Sequence, residues 1–507
     1  MQTTNSSKGF SKLSDEPRNC VSLGTVSSKC GSTIGMPCYH NPRLLNGFHT
    51  AIPLNPREGL FRGRTNALHL YYEGEDDETI HYVDFTSLYP SVMRQGGEYP
   101  VGHPEIILPP IDRFRVTQDY YGLNKVKVLP PQDLYLPVLP LHLNGKLLFV
   151  LCRTCAENLN QTSKCKHHCD QRAFVGVYTT PELRKALEVG YRILDVYEVW
   201  HYPNTSPSLF GKYVQTYLQL KQEASGWPSW CVTPEDRQRY VEDYERHEGI
   251  RLRPDQIQVN PGLRALAKLF LNSLWGKLGQ NPYLPVTEYV DCPKRFAELM
   301  FGGQVEVKHL LLISDELVQV QYERRGEGVH ENSFANVVLA DFVTSFARLR
   351  LFEAMDPIAD RVLYFDTDSI IYVSRPGDTT LPLGDYLGDL TSELDPGDSI
   401  KTFVSTGPKS YGYLTRQDKS QIKCKGIPIN ITSSHKVNLQ SMLDLVQGLR
   451  PNISVLLHRQ IRRDPKRRQL KTVNLQKVFQ VVYDKRVRKQ YQTEPYGYIM
   501  EPSSRRR

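Results

Sequence analysis

The stretch that most constrains this chain is Tyr364-Phe365-Asp366-Thr367-Asp368-Ser369, set between Arg361-Val362-Leu363 and Ile370-Ile371-Tyr372-Val373. Apolar, β-branched flanks around a short polar bend predict strand, tight turn, strand. Two carboxylates two residues apart at a hairpin tip repel each other and serve no core. A divalent cation between them removes the repulsion, because Mg²⁺ takes a few carboxylate oxygens and keeps room for substrate phosphates. Asp is also an ordinary turn residue, so the bend alone leaves a plain polar turn open.

A second anchor is Tyr82-Val83-Asp84-Phe85-Thr86-Ser87-Leu88-Tyr89-Pro90-Ser91. A strand over Thr79–Val83 runs into a helix over Ser87–Arg94, with Asp84 at the junction. There a carboxylate can face a cleft, and the first turn of the helix offers unpaired amides to phosphates. The plainer reading makes Asp84 a helix cap.

The third is Lys268-Leu269-Phe270-Leu271-Asn272-Ser273-Leu274-Trp275-Gly276, in a helix expected over Leu263–Leu278 with Leu266, Leu269, Phe270 and Leu274 as its apolar positions. Arg264, Lys268, Asn272 and Trp275 then share one face. Cations beside an aromatic ring suit a triphosphate and a stacked base or sugar better than a core. A merely solvated face would rarely carry Trp.

Bulk properties frame these motifs. A chain of 507 residues with 40% hydrophobic and 23% charged residues can bury a large core and divide into several units. No apolar run approaches the roughly 18 residues of a membrane span, and the start lacks the apolar centre of a secretory signal. An intracellular protein with no membrane partner is expected. A net charge of +8 favours polyanionic partners.

Three more helices are expected, over Thr180–Glu188, Phe210–Ala224 and Asn336–Met355, the last amphipathic, with a strand over Ile193–His201. Residues 95–150 are rich in Pro and strand formers, which points to a β or irregular insertion. The stretch from Gly226 to Pro261 reads as polar and charged, and 281–330 as short strands and turns. Beyond Pro428 the chain reads as helix-leaning and basic, with twelve Lys or Arg against two Asp between Arg459 and Lys489.

Asp-x-x-Ser-Leu-Tyr-Pro, Lys-x-x-x-Asn-Ser-x-aromatic-Gly and Tyr-x-Asp-Thr-Asp-Ser, in this order, resemble motifs A, B and C of family B DNA polymerases. Thr406-Gly407-Pro408-Lys409-Ser410-Tyr411, followed by Lys423-Cys424-Lys425-Gly426, resembles the family's Lys-x-Tyr motif. The long segments between motifs resemble the protein-primed branch, closest to the Polinton/Maverick mobile elements and related viruses. The likeness runs from about residue 60 to about residue 430.

The resemblance implies an α+β, right-hand polymerase with an antiparallel-sheet palm, helical fingers, a thumb and two insertions. The implied division is an irregular leader or remnant at 1–60, palm at 61–95, a first insertion with the Cys/His cluster at 96–205 and fingers at 206–280. A second insertion at 281–330, palm at 331–428 and a basic thumb and tail at 429–507 complete it. It also implies template-directed DNA synthesis from dNTPs on a primer–template, by two-metal phosphoryl transfer.

Carried over by position, Asp84 and Asp368 hold two Mg²⁺ ions and Asp366 assists. Phe85, Ser87 and Leu88 contact the triphosphate through backbone groups, and Tyr89 excludes a ribose 2′-hydroxyl by bulk. Lys221, Arg264, Lys268, Asn272 and Trp275 line the nucleotide site. Thr367, Lys409, Tyr411, Lys423 and Lys425 face DNA. The family usually has Tyr where this chain has Trp275, so stacking is kept without a hydroxyl.

Two departures stand out. The family carries a 3′–5′ exonuclease domain ahead of the polymerase, and the residues before Arg62 are too few for one, so a truncated copy without proofreading is expected. Phe61-Arg62-Gly63-Arg64-Thr65 stands where an aromatic-x-Gly-Gly linker is usual. A terminal protein as primer is the branch's partner.

Of ten Cys, four lie between Cys152 and Cys169. Cys152-x-x-Cys155 with Cys165 and Cys169 has the spacing of a structural zinc loop, and His167 and His168 compete for the last place. Reduced, partly buried thiols are the alternative. The basic tail suits a grip on duplex phosphates. Arg462-Arg463-Asp464-Pro465-Lys466-Arg467-Arg468 also fits a nuclear import signal. The rival reading is a non-catalytic, nucleic-acid-binding relic of a mobile element. A reverse transcriptase fits less well, having an Asp-Asp pair at its hairpin and no such motif B.

Overall fold

A computed structural model describes residues 53–281, 284–324, 335–464 and 469–499. The expected leader, with Cys20, Cys30 and Cys38, lies outside the described residues up to position 52, as do 465–468 of the import-signal run.

A nine-stranded antiparallel sheet assembles segments far apart in sequence. Its strands are β1 (Thr65–Ala67), β2 (Tyr71–Glu73), β3 (Thr79–Phe85), β4 (Val362–Asp366) and β5 (Ser369–Ser374), followed by β6 (Leu390–Ser392), β7 (Ile400–Gly407), β8 (Ser410–Thr415) and β9 (Ser420–Lys423). The order is β1-β4-β5-β3-β7-β8-β9, with β6 also paired to β3 and β2 to β7. Every residue of β5 is buried, and only the last residue of β4 is not. A run apolar on both faces belongs in the middle of a sheet covered on both sides. One face packs Ile80, Tyr82, Leu363, Ile371 and Phe403 against Met442, Leu445 and Val446 of the helix Leu439–Gln447.

Four helices stand beside this sheet: α1 (Leu88–Gln95), α2 (Gly211–Glu223), α3 (Pro234–Glu248) and α4 (Pro261–Leu278). The sequence signals for α1, α2 and α4 were read correctly, whereas α3 lies inside the stretch read as polar and charged. Its ends are nevertheless well marked. Thr233 closes a capping box with Asp236, Pro234 opens the helix, and Gly249 ends it with φ +58°. Only Val241 and Tyr244 supply a buried apolar edge, too thin a stripe for periodicity to find. Glu248 of α3 accepts hydrogen bonds from Arg94 on α1 and from the Leu387 amide.

The apolar phase of α4 corrects the expectation. Leu266 and Leu269 are 53% and 60% exposed, and the buried positions are Ala267, Leu271, Leu274 and Leu278. That face meets α2, with Tyr217 stacked on Phe270 at 4.9 Å and the Tyr213 hydroxyl donating to the Phe270 carbonyl.

A fifth helix, α5 (Val337–Met355), is not amphipathic: sixteen of its nineteen residues are buried. A helix apolar all round sits in the interior. Arg348 on α5 forms a two-pronged ion pair with Glu182 at 2.8 and 3.0 Å and donates to the Phe61 carbonyl. Residues 105–201 contain a second antiparallel sheet of four strands, ordered Glu105–Ile107, Arg192–His201, Gly122–Leu129, Phe174–Thr179.

The C-terminal part differs most from its sequence reading. The basic run lies on a long hairpin, Ile453–Asp464 paired with Gln469–Phe479, not on a helix. Ile453, Val455 and Leu457 are buried at a period of two, a strand period that the charge count had masked. The chain then returns through the pair Val487–Lys489 and Gln492–Glu494 to β1, where the Thr493 amide donates to the Leu68 carbonyl.

Asn281–Ala335 falls in a separate unit. Its described part is a three-stranded antiparallel sheet of Val286–Val290, Leu317–Arg324 and Val305–Ser314, in that order. The helix Pro293–Phe301 covers a small core of Val290, Leu299, Val320 and Tyr322. Strands of ten and eight residues exceed the short strands expected there. Among the described residues no helix is long and apolar enough to cross a membrane.

Candidate active site

The acidic bend is a two-residue turn. Asp366 ends β4 and pairs with Ser369 at the start of β5. Thr367 takes φ +61°, and its amide donates to the Arg64 carbonyl at 2.7 Å. A Cβ on Gly63 would sit 2.6 Å from Thr367 Cγ2. Gly63 therefore has to be glycine because the turn packs on it. The second arginine of the altered linker, Arg64, lies buried with its guanidinium over Phe149 and Phe365.

Pairing of β5 with β3 sets Asp84 opposite Ser369, beside the turn. The three carboxylates are unequal. Asp366 Oδ1 accepts from the Thr65 hydroxyl at 2.6 Å and from Lys409 Nζ at 3.0 Å. No hydrogen bond reaches the Asp84 carboxylate among the described residues. Burial, then the charges of Asp368 and Glu393, push Asp84 up from 3.8 to about 7, against the pull of Lys423 and Lys268. Asp368 is raised as well, by burial and then by Asp366. Two half-buried carboxylates, both raised by burial and by neighbouring acidic charge and neither held by a side-chain hydrogen bond among the described residues, are a fitting seat for divalent cations.

The start of α1 contributes less than the sequence reading gave it. The Phe85 amide donates to the Asp368 carbonyl and the Thr86 amide to that of Asp389. That leaves the amides of Ser87 and Leu88 for a ligand. Phe85 and Leu88 side chains are buried. Ser87 caps the helix with φ +56° and no side-chain hydrogen bond. Tyr89, one residue into the helix, stacks on Trp275 of α4 with centroids 4.6 Å apart and planes 11° from parallel.

The expected cations converge. Lys221, in the last turn of α2, is lowered by burial and then by the charges of Arg264 and Lys268. Arg264 also donates from Nε to Ser225 Oγ at 3.1 Å. Lys268 also lies within electrostatic range of Asp84, so the mutually repelling cations reach toward the acidic pair, an arrangement suited to an anion carried by metal. Asn272 is exposed on the same helix.

The Lys-x-Tyr pair divides its work. Lys409 is exposed and ion-paired with Asp366. Tyr411 is buried, with its hydroxyl 2.8 Å from that of Tyr82. Tyr411 thus supports the site from inside the sheet and presents no surface to a strand of DNA. Lys423 Nζ donates to the Tyr82 hydroxyl and lies over the rings of Tyr82 and Tyr411. Lys425 is exposed and anchored through its amide to Ser410.

Sequence reasoning missed Thr65, Glu393 and Lys485. Glu393 follows β6, on the face of the sheet that carries Asp84, because Thr391 pairs with Asp84 and side chains two apart share a face. Lys485 is lowered by burial and then by Lys425, and it lies within range of Asp366 and Lys409. Strand register brings Thr65 and Glu393 here, and the return of the chain after Phe479 brings Lys485.

The Cys cluster forms with one change of member. Cys152, Cys155, Cys165 and His167 come together, whereas Cys169 is exposed. His168 caps the short helix Cys169–Arg172 and its amide donates to Gln171. That cap turns Cys169 outward and leaves the fourth place to His167.

Residues 46–228 match the family model described as DNA polymerase type B, organellar and viral. A curated protein of Ascobolus immersus, described as "Probable DNA polymerase", is 24% identical over 376 residues. Those residues are 73% of this chain and 26% of that protein. Phi29 DNA polymerase complexed with primer–template DNA shares the fold with a TM-score of 0.53 at 15% identity, over 84% of this chain and 62% of that one. The same polymerase with single-stranded DNA gives 0.52 at 16% identity over the same shares. The chain therefore spans about a quarter of the curated relative and under two thirds of the phi29 enzyme. The mixed helix-and-sheet architecture with antiparallel sheets is a polymerase fold. The ordered motifs, the family-model match over residues 46–228 and the shared fold make this chain similar to family B DNA polymerases of the organellar and viral type.

Proposed function

We propose that the chain is a template-directed DNA polymerase that adds dNTPs to a primer 3′-hydroxyl. The observation that carries this reading is the pairing of β3 with β5, which brings Asp84 beside the acidic bend and within electrostatic range of Asp368 and of Lys268 on α4. On this reading the nine-stranded sheet is the palm, α2 to α4 are the fingers, and the Ile453–Phe479 hairpin is the thumb. Asp84 and Asp368 would hold Mg²⁺, which when bound supplies a Lewis acid for in-line phosphoryl transfer.

The chain's own residues do the rest. Lys268, Lys221 and Arg264 neutralise the triphosphate, and their mutual repulsion in the free protein makes that binding more favourable. The amides of Ser87 and Leu88, at the positive end of α1, hold phosphate oxygens. The Tyr89–Trp275 stack fixes the phenol ring where a ribose 2′-hydroxyl would come, so discrimination is steric. Thr65 and Lys409 keep Asp366 engaged, which reserves Asp368 for metal. Basic side chains of the hairpin bind duplex phosphates without reading sequence. Protein priming, with a terminal protein supplying the hydroxyl, and kinship with Polinton/Maverick elements are proposed on the spacing between the motifs.

Primer extension with Mg²⁺ and four dNTPs tests the reading. Extension by the wild type that disappears in Asp368→Asn supports it. Salt-sensitive DNA binding by both proteins without extension by either would instead establish a non-catalytic relic.

A further inference from the structure

The cluster at Cys152, Cys155, Cys165 and His167 plays no part in the chemistry described above. Its four donor atoms all lie within 4.8 Å of one another. His167 Nδ1 is 3.3 Å from the sulfurs of Cys152 and Cys155 and 3.6 Å from that of Cys165. One ring nitrogen has a single lone pair or a single proton, so hydrogen bonding accounts for at most one of these three approaches. A tetrahedral ion accounts for all three. With Zn–S bonds of ~2.3 Å and a Zn–N bond of ~2.0 Å, sulfur and nitrogen stand about 3.5 Å apart. The three cysteines are unbridged and buried. Two outer donors support the sulfurs: the Cys155 amide reaches Cys152 Sγ, and Asn160 Nδ2 reaches Cys155 Sγ.

The cluster grips the end of the described chain. The amides of Leu151 and Cys152 both donate to the Tyr496 carbonyl, at 2.8 and 3.0 Å. Gln161, inside the loop between the ligands, donates to the Tyr496 hydroxyl and the Arg486 carbonyl and accepts from the Arg488 amide. Gly497 takes φ +90° and passes so close that a Cβ there would lie 2.4 Å from that of Cys152. The gripped segment in turn seats on β1: Thr493 bonds to Ala67 and Leu68, and Leu70 donates to Tyr491. β1 pairs with β4 at Thr65 and Asp366, the first carboxylate of the bend.

We propose that Cys152, Cys155, Cys165 and His167 hold one structural zinc ion, and that this ion clamps the C-terminal segment 484–499 onto the sheet that carries the acidic bend. All four ligand places are filled by protein, so the ion has no open position for chemistry. Metal binding and the ordering of the loop and segment form one equilibrium. The proposal stands on its own geometry and does not depend on polymerase activity.

Elemental analysis of the reduced, chelator-free full chain should give one zinc per molecule. Cobalt-exchanged wild type should show tetrahedral visible bands and charge transfer from three thiolates. His167→Ala should lose the ion and Cys169→Ser should keep it. Stripping zinc from the wild type should speed hydrogen exchange at the amides of Leu151, Cys152 and Thr493 at least tenfold. Reduced wild type that takes up neither zinc nor cobalt overturns the site. Zinc retained by His167→Ala and lost by Cys169→Ser overturns the ligand set, and unchanged exchange after stripping overturns the clamp. The cobalt and exchange readings use wild type, so a variant that fails to fold does not rescue the proposal.

Discussion

Replacing Asp84 by Asn should stabilise the magnesium-free protein while abolishing synthesis, and the gain should depend on pH. Asp84 rises from its ordinary 3.8 to about 7, through burial first and then the charges of Asp368 and Glu393. Between those two values the folded state keeps a proton that the unfolded chain has released. Stability therefore falls as pH climbs from about 4 to about 7, and the whole penalty persists above 7. Three units at ~1.4 kcal/mol each set an upper bound of about 4 kcal/mol. Asp84 is only half-buried, so solvent screening brings this to about 2 kcal/mol.

Asn carries no titrating proton there. The variant should exceed wild type by about 2 kcal/mol at pH 8 and by less than about 1 kcal/mol at pH 5. Urea unfolding followed by tryptophan fluorescence, in Mg²⁺-free buffer at both pH values, measures the difference. Chelators are omitted so that the zinc proposed at the Cys/His cluster is not stripped. Added Mg²⁺ should then narrow the gap at pH 8, because it binds only the wild-type pair. An equal difference at both pH values, or a variant less stable than wild type at pH 8, would refute the reasoning.

Other consequences follow from single contacts. Tyr89→Ala should raise ribonucleotide incorporation, and Trp275→Ala should do so partly while Trp275→Tyr does not; unchanged ratios of ribo- to deoxynucleotide kcat/KM would sink the steric assignment. Lys268→Ala should raise KM for dNTP about tenfold or more, the loss of a charge-assisted contact of about 1.5–3 kcal/mol; steady-state kinetics at saturating DNA checks the increase. Glu182→Gln leaves the Arg348 guanidinium buried without a counter-ion and should cost about 3 kcal/mol in thermal or urea unfolding. Lys409→Ala should change stability by under about 1 kcal/mol, since the Lys409 end of the pair is exposed, yet weaken primer–template binding in a salt-dependent titration.

Much of the site was readable before any fold was known, because its parts are local. Tyr364–Ser369 announces its hairpin through flanking β-branched residues and two Asp in a turn. The helices bearing Tyr89, Lys221 and Lys268 announce theirs through periodicity and caps. Those segments pin the order of the polymerase motifs and the chemistry each can offer. Where local cues were thin, sequence reasoning failed in physical ways. Helix α3 has two buried apolar residues, too few to set a period. Helix α5 is buried on nearly every side, polar Asp341 and Arg348 included, and its interior place shows only when neighbours surround it. On the Ile453–Phe479 hairpin, charge obscured an alternation of two.

What tertiary structure alone decided is which carboxylates are free. Asp366 and Asp368 look alike in the chain. Only the register of β1 beside β4 puts Thr65 on Asp366, and only the β7–β8 turn brings Lys409 there, while Asp84 is left facing the charge of Asp368 with no side-chain donor of its own among the described residues. Strand register likewise sets Glu393 on the face of Asp84, and a four-residue helix capped by His168 exchanges Cys169 for His167. Sequence determines which groups exist and their local geometry; hydrogen-bond accounting across strands far apart in the chain determines which carboxylates are held by side-chain donors and which are left for a ligand.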